Sequence, residues 1–114
     1  MVPKQGELWW ADLDPTRGGE MRKRRPVLVL SHDGLGRSSP PGIVLAAPLT
    51  TTPGRRLHVP IELPGQEPPV RVSSIAPEHV RSLAHERFVT RIGRCPEAIR
   101  HEVARRIAIL MRAV

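Results

Sequence analysis

The side chains best suited to chemistry in this sequence are guanidinium and hydroxyl groups at the ends of apolar runs. Arg25 closes a basic stretch formed by Arg17 and Arg22-Lys23-Arg24, and Pro26-Val27-Leu28-Val29-Leu30 follows it directly. Pro26 restricts the backbone before it to extended geometry, and the apolar run anchors the strand it opens. The Arg25 guanidinium is therefore held at a strand entrance while its neighbours sweep through solvent. Arg forks match phosphate oxygens two at a time, which makes this loop a candidate cradle for a phosphate backbone. An ordinary solvated basic loop is the competing reading. Thr50-Thr51-Thr52 follow a second apolar run that begins at Ile43. Their hydroxyls can donate to a phosphate oxygen, or they can cap a turn before Pro53-Gly54.

Other chemistries find little support. The single Cys95 forms no internal disulfide, and the five His (32, 58, 79, 85 and 101) lack the spacing of a zinc site. Asp12 and Asp14 share a strand face without a second carboxylate pair, so no metal or other cofactor is expected. His32 and His79 fall near strand ends, but spacing alone does not bring them together as an acid–base pair. Trp9 and Trp10 are adjacent on a strand, so they point to opposite faces and one of them belongs to the core.

Charge sets the class of partner. The net charge is +7 and the predicted pI 11.4, and of the eighteen cations only Lys4 and Lys23 are lysines. The excess is spread along the chain, with nine basic against five acidic side chains up to Leu57 and nine against six beyond it. An evenly basic surface favours polyanions or an acidic protein, although a GC-rich coding sequence produces the same Arg bias. No apolar run approaches a membrane span, and the N-terminus lacks the pattern of a secretory leader. The sequence reads as soluble and cytoplasmic, with no membrane partner. At 114 residues it is expected to form a single domain, 1–114.

Several elements must position these groups. Glu7–Leu13, Pro26–Ser31, Ile43–Thr50, Leu57–Leu63 and Val70–Ile75 read as strands, and a last strand is expected over Phe88–Ile92. Pro- and Gly-rich stretches separate them, among them Gly36–Gly42 and Pro64–Pro69. After Cys95 the period changes. Pro96 suits a first helical position, and Ile99, Val103, Ile107 and Leu110 recur at helical spacing. Short strands followed by one terminal amphipathic helix predict an α+β fold, a small open barrel carrying that helix.

Five segments, in order, resemble the MazF/PemK family of toxin endoribonucleases. Gly6-Glu7-Leu8-Trp9-Trp10-Ala11-Asp12-Leu13-Asp14-Pro15 resembles the family's opening strand, and Gly18-Gly19-Glu20 resembles its Gly-Ser-Glu loop. Arg25-Pro26-Val27-Leu28-Val29-Leu30-Ser31 matches its Arg-Pro-Val-Leu-Val strand, and Ala47-Pro48-Leu49-Thr50 its Pro-x-Thr strand end. Glu78-His79-Val80-Arg81-Ser82-Leu83, with Arg87 and Ile92-Gly93 beyond, resembles its Gln-Ile-Arg-Thr segment and Ile-Gly strand. His79 stands where the family usually has Gln, and Ala84 where Asp is common, positions that bear on RNA contacts and local hydrogen bonding and so on cleavage specificity.

The resemblance implies a dimeric SH3-like open barrel that cleaves single-stranded RNA without a metal, and a cognate acidic MazE-like antitoxin that occludes its groove. It implies Arg25 and Thr50 as the catalytic pair. RNA contacts are expected from Arg17, Gly19, Glu20 and Lys23 in the first loop, from Thr51, and from Glu78, His79 and Arg81. Metal-free cleavage uses the substrate's own 2′-OH and leaves a 2′,3′-cyclic phosphate and a 5′-OH. The alternative class is a non-enzymatic module on the same barrel, a gyrase poison of the CcdB type or an RNA-binding SH3-like domain. Neither would need Arg25 and Thr50 together.

Overall fold

The structure is a computed structural model that describes residues 2–13, 24–38, 42–51, 56–63 and 73–112. Within them the strands are β1 (Glu7–Asp12), β2 (Arg24–Val29), β3 (Ile43–Thr50), β4 (Val59–Ile61), β5 (Ser73–Ile75), β6 (Arg81–Ala84) and β7 (Phe88–Arg94). A short helix α1 (Asp33–Ser38) joins β2 to β3, and α2 (Glu97–Leu110) follows β7. Single 3-10 turns at Pro77–His79 and His85–Arg87 flank β6. No helix among the described residues is long and apolar enough to cross a membrane.

Every strand pairing is antiparallel, in the order β4-β5-β3-β2-β1-β7, with β6 also on β3. β3 is the pivot. One edge meets β2, while the other is shared between β6 at Ile43–Ala46 and β5 at Leu49–Thr50. Register shifts in the β1–β7 pair, between Leu8 and Trp9 and again between Trp10 and Ala11, add local twist. The sheet therefore curls into an open half-barrel with a C-terminal helix, the architecture expected from the sequence.

Both faces of this sheet are buried, and that is why its strands read as nearly unbroken apolar runs. On one face Leu8, Leu28, Ala47, Leu49, Ile61 and Ile75 pack with Val103 of α2. On the other, Trp9, Ala11, Val27, Val29, Val44, Ala46 and Leu83 form a second cluster, closed by Phe88. Trp9 is the core tryptophan and meets Phe88 edge to face at 5.8 Å. Trp10 is half-buried.

Local differences from the sequence reading have simple causes. Residues 33–38, in a stretch read as a breaker-rich connection, form α1, with the Gln5 N–H bonded to the Asp33 carboxylate at 2.7 Å. Gly42 then turns the chain into β3 at φ +93°, where a Cβ would stand 2.7 Å from His85 Nδ1. Arg81–Ala84, too polar to read as a strand, becomes β6 because the upper half of β3 offers it an open edge. β4 is shorter than Leu57–Leu63, and β7 runs on to Arg94. Pro96 is the residue before α2 rather than its first turn. Ile99, Val103 and Ile107 face the sheet, which leaves Leu110 exposed beside Ile109 and Met111.

Candidate functional site

The site starts from a fault in the β2–β3 ladder. The Val29 carbonyl accepts from Gly6 on the β1 side, and the Leu30 N–H donates to Leu45 on the β3 side at 2.8 Å. By alternation Pro26 turns its backbone toward β3, where it has no N–H to give. The paired register runs Val29–Ala46, Leu28–Ala47, Val27–Pro48, and there it stops. Two more residues along each strand bring Arg25 level with Thr50.

That level extends to the neighbouring strands. Arg25 lies opposite Ala11 on β1, and Thr50 opposite Ser74 on β5. Side chains directly opposite one another share a face, with Cβ atoms typically about 5 Å apart. By the two-residue period, Arg25 shares its face with Val27 and Val29, and Thr50 with Ala46. This is the face opposite α2. Arg25, Thr50 and Ser74 are all half-buried, so each is held by its strand yet reachable from solvent.

Arg24 points the other way, and its Nε meets the Asp12 carboxylate at 2.9 Å. Pairing across β1–β2 thus engages Arg24, and Arg25 is the described cation of the basic run that stands at the row. Thr51 is exposed just past the strand end. Arg17, Gly19, Glu20 and Lys23 lie outside the described residues.

The second group of expected RNA contacts divides between surface and framework. His79 is 70% exposed at the end of its 3-10 turn. Arg81 stands opposite Ala46, on the same face as the row, and donates through Nη1 to the Leu13 carbonyl at 2.9 Å. Arg87 donates to the Asp12 carbonyl at 3.2 Å, so two guanidiniums hold the end of β1 just where the first loop departs. Glu78 reaches toward the residue before β4, where its Oε2 lies 2.8 Å from His58 Nε2. Burial pushes the Glu78 carboxyl up, but bonds from His58 and its own backbone N–H, with His79 nearby, outweigh this and hold it below the usual carboxylate range.

His32 accepts the Gly34 N–H through Nδ1 at 2.8 Å and is engaged locally. Burial pushes the Cys95 thiol up to about 11, which leaves it inert as a nucleophile at neutral pH. Among the described residues no three His, Cys, Asp or Glu side chains are grouped as a metal site. Sequence reasoning missed Ser74 and His58. The Ser73-Ser74 pair within the Val70–Ile75 run was the available signal for the first. No local signal links His58 to Glu78, twenty residues away.

Comparison with known proteins agrees with the fold. Residues 4–111 match the family described as PemK-like, MazF-like toxin of type II toxin-antitoxin system. Endoribonuclease MazF9 of Mycobacterium tuberculosis is 33% identical over 103 residues, covering 83% of this chain and 84% of that protein. The structure resembles the MazE-MazF complex (Form-II) of Deinococcus radiodurans with TM-score 0.80 and 28% identity, over 100% of this chain and 99% of that one. MazF (Form-I) of the same organism gives TM-score 0.75 and 29% identity over 98% of each chain. A basic half-barrel with an arginine and a threonine level across a broken ladder, matched along nearly its whole length, belongs to the MazF/PemK family of type II toxin–antitoxin toxins.

Proposed function

We propose that this toxin is an endoribonuclease that cleaves single-stranded RNA across the Arg25–Thr50 row. The observation that carries the reading is the register, which, continued two residues past Val27–Pro48, brings Arg25 level with Thr50 on a face α2 does not cover. The relatives named endoribonuclease support the reaction class.

In the reaction the 2′-oxygen forms a bond to the adjacent phosphorus while the bond from phosphorus to the 5′-oxygen breaks. The ends are a 2′,3′-cyclic phosphate and a 5′-OH. The 2′-OH loses one proton and the departing 5′-oxygen gains one. Charge builds on the non-bridging oxygens, and a preorganised donor aimed at such charge is typically worth about 3–4 kcal/mol. Arg25 supplies that donor, and Thr50 holds a non-bridging oxygen. Arg25 stays protonated at neutral pH, so it suits late donation to the 5′-oxygen and not removal of the first proton. That first transfer falls to solvent or to His79. The exposed cations around the row track the backbone, while unpaired bases are read on their edges.

The same reading assigns the partners. A MazE-MazF complex is among the close structural relatives, and a basic toxin suits an acidic MazE-like antitoxin laid over its groove. We expect the working form to be a homodimer acting in the cytoplasm, where its RNA lies.

Incubation of the purified protein with a long single-stranded RNA in EDTA, read by end mapping, tests the reading. Cleavage with cyclic-phosphate ends supports it, and intact RNA beside inhibited gyrase would favour the gyrase poison. Arg25→Ala should lower kcat roughly 10²–10³-fold while the protein stays folded. Thr50→Ala should cause a smaller loss, since the charge remains. Near-wild-type cleavage by Arg25→Ala would sink the catalytic assignment.

A further inference from the structure

We infer that His58 is a positioning residue for the RNA-facing turn, acting through Glu78. The inference rests on the RNA-cleavage reading above for its consequence, though not for its geometry.

His58 lies just before β4 with its side chain only 7% exposed. Its backbone is fixed from α2, because Arg106 Nη1 donates to the carbonyls of Arg56, Leu57 and His58 at 3.2, 3.0 and 3.0 Å. Arg106 is itself aimed by Glu102, whose Oε2 accepts from Nε at 2.6 Å. The imidazole thus stands on a braced segment. Its Nε2 lies 2.8 Å from Glu78 Oε2, while its Nδ1 is buried with no partner among the described residues. An ionised carboxylate only accepts, so Nε2 carries the hydrogen of this bond.

Glu78 sits at the centre of the Pro77–His79 turn. The start of that turn is tied to β3, where the Ala76 N–H donates to the Pro48 carbonyl at 2.9 Å, two residues before Thr50. Pro77 is fully buried beneath it. With its start bonded to β3, its centre bonded to His58 and α2 packed against it, the turn keeps an open side, which presents His79 and leads to Arg81. His58 does two things there. It fixes the turn, and it keeps a carboxylate directed away from the surface that must accept phosphates. Loss of His58 would release both the turn and a repulsive charge.

The test compares His58→Leu, His58→Gln and the double variant His58→Leu/Glu78→Gln. In steady-state cleavage of a defined single-stranded RNA, His58→Leu should raise KM about tenfold, a coupling near 1.4 kcal/mol, with kcat little changed. His58→Gln, whose amide reaches the same carboxylate, should restore most of the loss. The double variant should recover much of KM, because the freed group is no longer charged. A purely structural role predicts the opposite: the double variant no better than His58→Leu, which would overturn the inference. If His58→Leu fails to fold, His58→Asn, too short to reach Glu78, takes its place under the same expectations. Amide hydrogen exchange without RNA separates this inference from the cleavage reading. The His79 and Val80 amides, bonded to the Ala76 and Pro77 carbonyls, should exchange at least tenfold faster in His58→Leu. Unchanged exchange overturns the positioning role even if the wild type cleaves, and faster exchange upholds it even if the wild type cleaves nothing.

Discussion

Arg25 and Arg24 show how one residue step decides the use of a charge. Adjacent strand positions point to opposite faces, so Arg24 meets Asp12 while Arg25 is left at the level of Thr50. A lysine at position 25 would keep the charge but lose the planar fork that fits two phosphate oxygens, so Arg25→Lys should recover only a minor part of the Arg25→Ala loss. Ser74 belongs to the same row, opposite Thr50 on one strand and Pro60 on the other. On the RNA-cleavage reading, this half-buried side chain would meet the sugar-phosphate flanking the scissile bond. Ser74→Val keeps a strand-compatible side chain and removes the hydroxyl. Its KM for RNA should rise roughly two- to tenfold, the net worth of one hydrogen bond, with kcat and thermal midpoint nearly unchanged. An unaltered KM in titrations against wild type would remove Ser74 from the site.

The strands and helices divide into those the sequence announces and those created by pairing. β1, β2, β3 and α2 carry long apolar patterns, so their place in the core follows from local chemistry. β6 has none. Arg81 and Ser82 form a strand only because β3 leaves an edge unpaired, and no local pattern encodes that edge. The site divides in the same way. Arg25 before Pro26 was legible because Pro acts on its immediate neighbour, whereas the pairing of Glu78 with His58 and the hold of Arg81 on Leu13 depend on tertiary proximity. The anchoring of α2 is testable at this scale. Bonds from Arg105 and Arg106 lower the Glu102 carboxyl from 4.5 to about 2. Its folded value lies below its unfolded one, so ionised Glu102 supports the native state above the ordinary carboxylate range, and that support fades as pH falls toward about 2. Glu7 adds to this trend. Burial opposes its charge, but bonds from the Lys4 N–H, Trp9 Nε1 and Arg91 lower its carboxyl. Urea midpoints should therefore drop across the acid range in wild type, and Glu102→Gln should flatten the slope below pH 4.5. A slope unchanged by Glu102→Gln would show that the helix is held by its apolar face alone.

At the scale of the whole molecule, a +7 charge acts before any contact forms. RNA and an acidic antitoxin segment are both drawn to such a surface, and on the reading proposed above both would use the Arg25 face. A disordered acidic segment orders only on binding, so much of its gross interaction energy is consumed in ordering, and long-range attraction shows mainly in the encounter rate. Raising salt shortens the reach of that attraction to about 8 Å near physiological ionic strength and to about 3 Å at 1 M. Association of a synthetic antitoxin segment should therefore slow as salt rises, while dissociation, governed by short-range contacts, changes much less. A non-cleavable RNA should compete with that segment for one site per groove. Stopped-flow association over a salt series, with a competition titration beside it, measures both expectations. Salt-independent association, or RNA and antitoxin bound together on one groove, would mean that inhibition reaches Arg25 from elsewhere. It would then have to act at a distance, through the dimer interface or the order of the loops.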